Sequence, residues 1–456
     1  MQRQKNSARS QIRTRASYWR QASSRLESPR TAVSCIVVCV SQFDRRRFCA
    51  LSASVLAANR LSAIEPPPAS AYSLVAAVDR ERILRLANQW LDAKPRTITD
   101  FPAPNSPGGP HDFFSQADYF WPNPANPDGP WKEIDGKSNP ANFQLHRKAM
   151  IRLSQAVPAL TAGFLLTRRK EFARAAAAHL VAWFVTPGTR MNPSLQYAQG
   201  YPGGPSGRSY GIIDTLHLVE AARAATFLKD ALGADYAAVQ QWFREYLEWM
   251  KTSAPGMKER DATNNHAIAW ALQAAEFARL AEDNLTREEV RTRFETVQLP
   301  AQENAEGGFP RELARTKPYG YSIFQFDCAT ALGWSLGILA PNNASAGKTT
   351  SLADSVFHPT ATAHATGVND DATARAALCR AAVFLYPYLK DKSKWPYAHD
   401  VQHWESWPVR SPGLLFCGLA CDHPDYIALW RRLEPDPTDP EILRNYPIRQ
   451  PLLWVA

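Results

Sequence analysis

The sequence predicts an all-α fold, an α/α toroid in which antiparallel helix hairpins form an incomplete barrel. Three observations carry this expectation. Apolar residues recur at three- and four-residue spacing in segment after segment, period-two alternation is scarce, and the connections are of mixed length. In such a ring one helix layer lies inside and one outside. The N-termini and loops of the inner helices then line a central cleft.

In chain order the helix-periodic segments are Leu74–Leu91, Gln144–Leu166, Lys170–Trp183, Ile212–Leu232 and Tyr236–Thr252, followed by Asn265–Ala281, Arg287–Val297, Ser322–Leu339, Thr373–Leu389 and Pro412–Arg432. A chain of 456 residues, 45% hydrophobic and 21% charged, has the composition of a soluble globular protein and can bury a large core. The segments after residue 63 are expected to form a single domain, residues 64–456.

Residues 1–63 read as an export leader. Asp44-Arg45-Arg46-Arg47-Phe48 precedes a short apolar run to Ala58 and small-residue exits after Ala63 or Ala71. That order of charged, apolar and small residues is a secretory signal, too short to span a bilayer. The arginines before Phe48 resemble a twin-arginine signal. Residues 1–40 are long and rich in Arg and Ser for such a peptide, as an over-extended start would be. The expected destination is the periplasm or the exterior, with no membrane association once the leader is removed. Residues 1–60 hold twelve Arg or Lys against two acids, a surplus of ten that leaves the rest of the chain at about −1 of the total +9. The basic balance belongs to the leader, so no nucleic-acid partner follows from it. Cys328, Cys379, Cys417 and Cys421 remain beyond the leader without metal-ligand spacing. No metal and no cofactor is implied, and their disulfide state is left open.

Long loops in a compact domain are where function concentrates. Pro102–Pro140 carries His111-Asp112-Phe113-Phe114-Ser115 and Asp118-Tyr119-Phe120-Trp121-Pro122. Tyr119 and Trp121 either stack against sugar rings or pin the loop onto the helices. Thr186–Tyr210 carries Gln199 and, at a helix entry, Gly207-Arg208-Ser209-Tyr210-Gly211, which suits close approach to a polar, anionic ligand. Pro341–Asp371 reads as a plain insertion. Asp261-Ala-Thr263-Asn264-Asn265-His266 opens a helix with two amides and an imidazole. Thr263 or Asn264 serves as N-cap, which leaves Asn265 and His266 unexplained by capping. Finally Arg311, Arg315, Tyr319 and Tyr321 converge within eleven residues.

These motifs, in this order, resemble the alginate lyase domain family of polysaccharide lyases, as do Lys394-Trp395-Pro396-Tyr397 and His403-Trp404-Glu405-Ser406-Trp407-Pro408. The resemblance covers roughly residues 75–415. It implies an α/α toroid, an anionic uronan as partner, and Asn265, His266, Arg315 and Tyr321 as catalytic residues. Asn264, Gln199, Arg208, Tyr119, Trp121 and Tyr319 are the expected substrate contacts, and a monomer is the expected state. The Arg315-to-Tyr321 spacing is one residue shorter than in some relatives that cut polymannuronate, which keeps Tyr319 as a second candidate for the tyrosine.

The implied chemistry is β-elimination. A uronate's C5 proton becomes removable once the adjacent carboxylate is neutralised, here by Asn265 with Arg315 and His266 nearby. A base then takes that proton and an acid protonates the departing O4. Tyr321 performs both steps when H5 and O4 share a face. His266 is the base and Tyr321 the acid when they do not. Two other classes compete: a glycoside hydrolase, which needs paired carboxylates from among Asp112, Asp128, Asp214 and Glu312, and a non-catalytic uronan-binding protein.

Overall fold

A helix that is apolar on every side has to be buried on every side, and this sorts the helices into two layers. Asn265–Ala281 buries 15 of its 17 residues and Pro318–Ser335 buries 16 of 18, whereas Asp235–Thr252 buries only six of 18 along one stripe. The inner row runs Leu145–Thr167, Leu218–Phe227, Asn265–Ala281, Pro318–Ser335 and Pro412–Ala420, each packed on the next. Ala71–Trp90, Lys170–Phe184, Asp235–Thr252, Asn284–Arg293, Asp370–Lys390 and Pro424–Arg432 back this row from outside. The C-terminal turn Leu452–Val455 returns to pack on the first helices. This is the all-α toroid the periodicity implies. The computed structural model describes residues 70–341 and 370–456. The expected leader, residues 1–63, and nearly all of the expected insertion lie outside the described residues. The described residues belong to one compact unit.

Three expected helices differ most in their bounds. Ile212–Leu232 is three pieces: a 3₁₀ stretch Ser209–His217, the helix Leu218–Phe227 and the short turn Lys229–Leu232. Within the 3₁₀ stretch, Asp214 and Thr215 are fully buried and bond to Ser115, Arg147, Gln273 and Tyr246, so tertiary hydrogen bonds override the helical pattern. Pro412–Arg432 divides at Cys421–His423, because Pro424 lacks an amide proton and disfavours helical geometry before it. Pro318–Ser335 starts four residues earlier than Ser322, so Tyr321 stands in its first turn.

The strand content is slight but well placed. Phe114–Gln116 of the aromatic loop pairs in parallel with Tyr197–Gly200 of the Gly-rich loop, and Phe120–Trp121 pairs with Lys132–Glu133. The first ladder joins the two long loops over one end of the helix ring. Ser115 strengthens the join: its hydroxyl accepts from the Gln199 amide at 2.9 Å and donates to Asp214 at 2.6 Å. A disulfide joins Cys379 in the helix Asp370–Lys390 to Cys421 just after Pro412–Ala420, while Cys328 and Cys417 are free and buried.

Candidate active site

The N-terminal amides of two adjacent inner helices are each satisfied by a carboxylate from elsewhere in the chain. At Asn265–Ala281 the Asn264 side chain makes no capping bond. Instead Glu312 accepts from the Asn265 amide at 2.9 Å and from its side-chain Nδ2 at 2.8 Å. At Pro318–Ser335, Asp400 accepts from the Tyr319 and Gly320 amides, both at 2.9 Å. Carboxylates placed on orphan amides at the positive end of a helix fix both helix starts. This geometry brings Asn265, His266 and Tyr321 to the same end of the ring.

A cleft of about 780 Å³ opens there, lined by Asn265, His266, Arg315 and Tyr321. Contacts connect these four residues. Glu312 holds Asn265 and lies 3.9 Å from Arg315. The Arg315 guanidinium lies over the Tyr321 ring, 4.4 Å from its centroid. Asp135, a residue with no local motif around it, binds Arg315 through both oxygens, at 2.6 and 3.2 Å. Burial would raise the Asp135 carboxyl, but the Arg315 bonds and charge outweigh it and hold it below its usual range.

Tyr321 is nearly enclosed, and its hydroxyl lies 2.7 Å from the Tyr119 hydroxyl. Burial pushes the Tyr321 phenol well above its ordinary value, Tyr119 adds to this, and Arg315 only partly offsets it. Tyr119 is itself raised by burial, to about 12, against the pull of Arg444. Arg444 donates to the Tyr119 hydroxyl at 3.1 Å and pairs with Asp118 and Glu441, and Lys317 donates to Glu441 at 2.6 Å. A buried charge network therefore backs the tyrosine pair.

His266 faces Glu259 on the short helix Ala254–Arg260, with Nδ1 2.5 Å from the buried carboxylate. Burial disfavours the imidazolium, but the Glu259 charge and bond prevail and raise the His266 pKa. Its ring lies 4.9 Å from that of Tyr210, an exposed aromatic in the cleft wall. Arg208 stacks over Phe120 and Tyr210, at 4.6 and 5.1 Å, and donates to the Gln199 carbonyl at 2.9 Å. Gln199, Arg208, Asn264 and Tyr119 all line the cleft.

Two expected substrate contacts do not. Trp121 is paired with Lys132 and its indole N–H donates to the Lys137 carbonyl at 2.9 Å, which holds it on a loop segment outside the cleft lining. Tyr319 is fully buried: its hydroxyl donates to the Tyr388 carbonyl at 2.9 Å, and its ring packs against Trp395 and Trp404. The late Trp-rich motifs thus serve to wedge Tyr319 into the core. Tyr319 is removed both as a substrate contact and as a substitute for Tyr321. Among residues missed by the sequence reading, Tyr210 stood inside a quoted motif, Glu259 lies seven residues before His266, and Arg444 lies 123 residues after Tyr321 with no local signal.

The comparisons bear on the family and the fold. The family model for alginate lyase matches residues 97–333, over half of the chain and a span containing all four candidate catalytic residues. An alginate lyase from Bacteroides ovatus has a similar structure, with a TM-score of 0.66 at 27% identity, over 83% of this chain and 93% of that one. Alginate lyase A1-III from Sphingomonas species A1 aligns at a TM-score of 0.38 and 18% identity, over 76% of this chain and 88% of that one, too distant to carry an argument. No curated protein matches the chain. With the family match over more than half its length and an all-α fold ending in a cleft of this composition, the chain belongs to the alginate lyase family and is a polysaccharide lyase.

Proposed function

We propose that the chain cleaves a uronic-acid polymer of the mannuronate or glucuronate type by β-elimination, leaving a 4,5-unsaturated uronate end. The observation that carries this is the convergence of amide, imidazole, guanidinium and phenol groups on one cleft. Those are the groups needed to neutralise a carboxylate and move two protons. Asn265, with one side-chain proton held by Glu312 and a second available, donates to the substrate carboxylate beside His266 and Arg315. Tyr321, protonated at rest because it is buried, gives its proton to O4. To take H5 first, as a same-face substrate requires, it passes that resting proton to the Tyr119 oxygen while Tyr119 passes its own to the Glu441 carboxylate 3.5 Å away, and the proton it then gives to O4 is H5. Arg208 and Tyr210 bind neighbouring sugars through charge and ring stacking.

The hydrolase alternative needs two carboxylates free to act across the cleft. Of the four candidates, Asp128 is exposed and outside the cleft lining, and the other three are otherwise engaged. Asp112 accepts from Gly109 and Asn192, Asp214 from Ser115 and Arg147, and Glu312 caps the Asn265 helix. Asp118 and Asp135 in the cleft wall are bound by arginines. Export to the periplasm or beyond remains part of the reading, and the Cys379–Cys421 disulfide is the kind of bond an oxidising compartment sustains. The test is incubation of the purified chain with polymannuronate, glucuronan, polyguluronate and hyaluronan, followed by ultraviolet absorbance of the conjugated product. Reducing ends that appear without that absorbance would replace the lyase with a hydrolase.

A further inference from the structure

We propose that Glu259 is the positioning residue that keeps His266 an imidazolium facing the cleft, so that His266 meets the substrate carboxylate as a cation and the chain acts only on uronates whose H5 and O4 share a face. The inference rests on the elimination reading above and names the group that excludes opposite-face uronates from its substrate class.

Glu259 is 1% exposed, and only one of its carboxylate oxygens has a hydrogen-bond partner, the His266 Nδ1 at 2.5 Å. A buried carboxylate without a countercharge is costly, and the imidazole is the group in contact with it. The contact takes Nδ1 and leaves Nε2, which has no bonded partner among the described residues, as the nitrogen available to the cleft that His266 lines. Other groups face the ring from each packed element. Glu312 adds negative charge and Arg315 opposes it, the Tyr210 ring lies at 4.9 Å, and Lys258 and Asp261 line the same cleft. Glu312 is already committed to the Asn265 amides and Asp261 to Arg260 and Arg293. Glu259 is thus the partner that decides the charge of His266.

The consequence concerns stereochemistry. When H5 and O4 lie on opposite faces, a second group must remove H5 from the face away from Tyr321, and a protonated His266 has no lone pair for it. When both lie on one face, as in mannuronate and glucuronate, Tyr321 serves alone and the imidazolium assists by neutralising charge.

The experiment has two independent parts. In the first, ¹³C-histidine NMR of the unaltered chain follows His266, assigned by its loss in His266→Gln. His266 is expected to titrate above the free imidazole value of about 6.5. Glu259→Gln, which keeps size and hydrogen bonding without charge, is expected to lower that midpoint by about 1–3 pH units, the effect of one adjacent opposite charge. Glu259→Asp should restore part of it. A His266 midpoint at or below the free value overturns the proposal. In the second part, kcat on polymannuronate at a pH above the unaltered chain's own His266 midpoint should fall about 10–10³-fold in Glu259→Gln, tenfold for each pH unit the midpoint drops, with KM changing much less. A lowered midpoint with kcat within about twofold of the unaltered enzyme would show that the cation is not used. Polyguluronate should remain uncleaved while polymannuronate or glucuronan is cut. Cleavage of polyguluronate at a comparable rate also overturns the proposal. Failure to cut any uronan would refute the lyase reading instead, and the NMR titration would still decide the charge of His266.

Discussion

Replacing Tyr321 with Phe removes one hydroxyl and keeps a ring that Arg315 covers at 4.4 Å. The lost oxygen has one side-chain hydrogen-bond partner among the described residues, Tyr119 at 2.7 Å. Tyr119 still receives the Arg444 bond at 3.1 Å, so no buried hydroxyl is left wholly unsatisfied. The stability cost should therefore be that of one ordinary hydrogen bond, about 0.5–1.5 kcal/mol, lowering Tm by about 1–4 °C in a chain of this size. Catalysis should suffer far more. If this hydroxyl delivers the proton to O4 and also takes H5, kcat should fall by about 10²–10⁴-fold, equivalent to about 2.7–5.4 kcal/mol of transition-state stabilisation. KM should change little, because the ring and its Arg315 contact persist. The assay is the ultraviolet absorbance of the unsaturated product at saturating polymannuronate, with circular dichroism to show an intact fold. A folded Phe variant that retains more than a tenth of normal kcat would refute the assignment. Attention would then turn to Tyr119, since Tyr319 is sealed in the core.

Tyr119→Phe should lower kcat by about 10–100-fold, the worth of a hydrogen bond to a group that becomes charged, with KM nearly unchanged; an unaltered kcat would remove Tyr119 from the proton path. Tyr210→Ala should raise KM severalfold with a smaller effect on kcat, since stacking binds ground and transition states alike. Trp121→Ala should leave KM within about twofold because the indole is held outside the cleft, and steady-state kinetics on both variants would expose an exchange of these roles. Replacing Cys379 and Cys421 together by Ser opens a cross-link of sequence separation 42. It should destabilise the chain by about 2–4 kcal/mol on the chain-entropy account, measured by urea unfolding. An unchanged unfolding midpoint would mean the link contributes nothing to folding.

Much of the fold was legible because helix periodicity is a local property. Segments such as Lys170–Phe184 and Asn265–Ala281 carry apolar stripes that any reader of spacing can find, and their bounds differ from expectation by at most a residue. Of the candidate site residues, Asn265 and His266 stood out for a related reason, while the choice of Arg315 and Tyr321 from among Arg311, Arg315, Tyr319 and Tyr321 came from the family resemblance. Asn265 and His266 follow Thr263-Asn264 at a helix entry, where capping alone does not explain the composition. What the sequence left undecided was partnership. Tyr119 and Trp121 are two residues apart in the same motif, yet one reaches the Tyr321 hydroxyl and the other is tied to the Lys137 carbonyl. Tyr319 and Tyr321 are equally close, yet one is wedged between tryptophans from residues 395–404 and the other opens into the cleft. Glu259, Asp135 and Arg444 set the charge around His266, Arg315 and Tyr119 from 7, 180 and 325 residues away. Hydrogen bonds and ion pairs act over a few ångströms of space whatever the separation along the chain. Local pattern therefore determined which helices form and which ends are polar, and tertiary packing alone decided which side chains meet and what charge they carry.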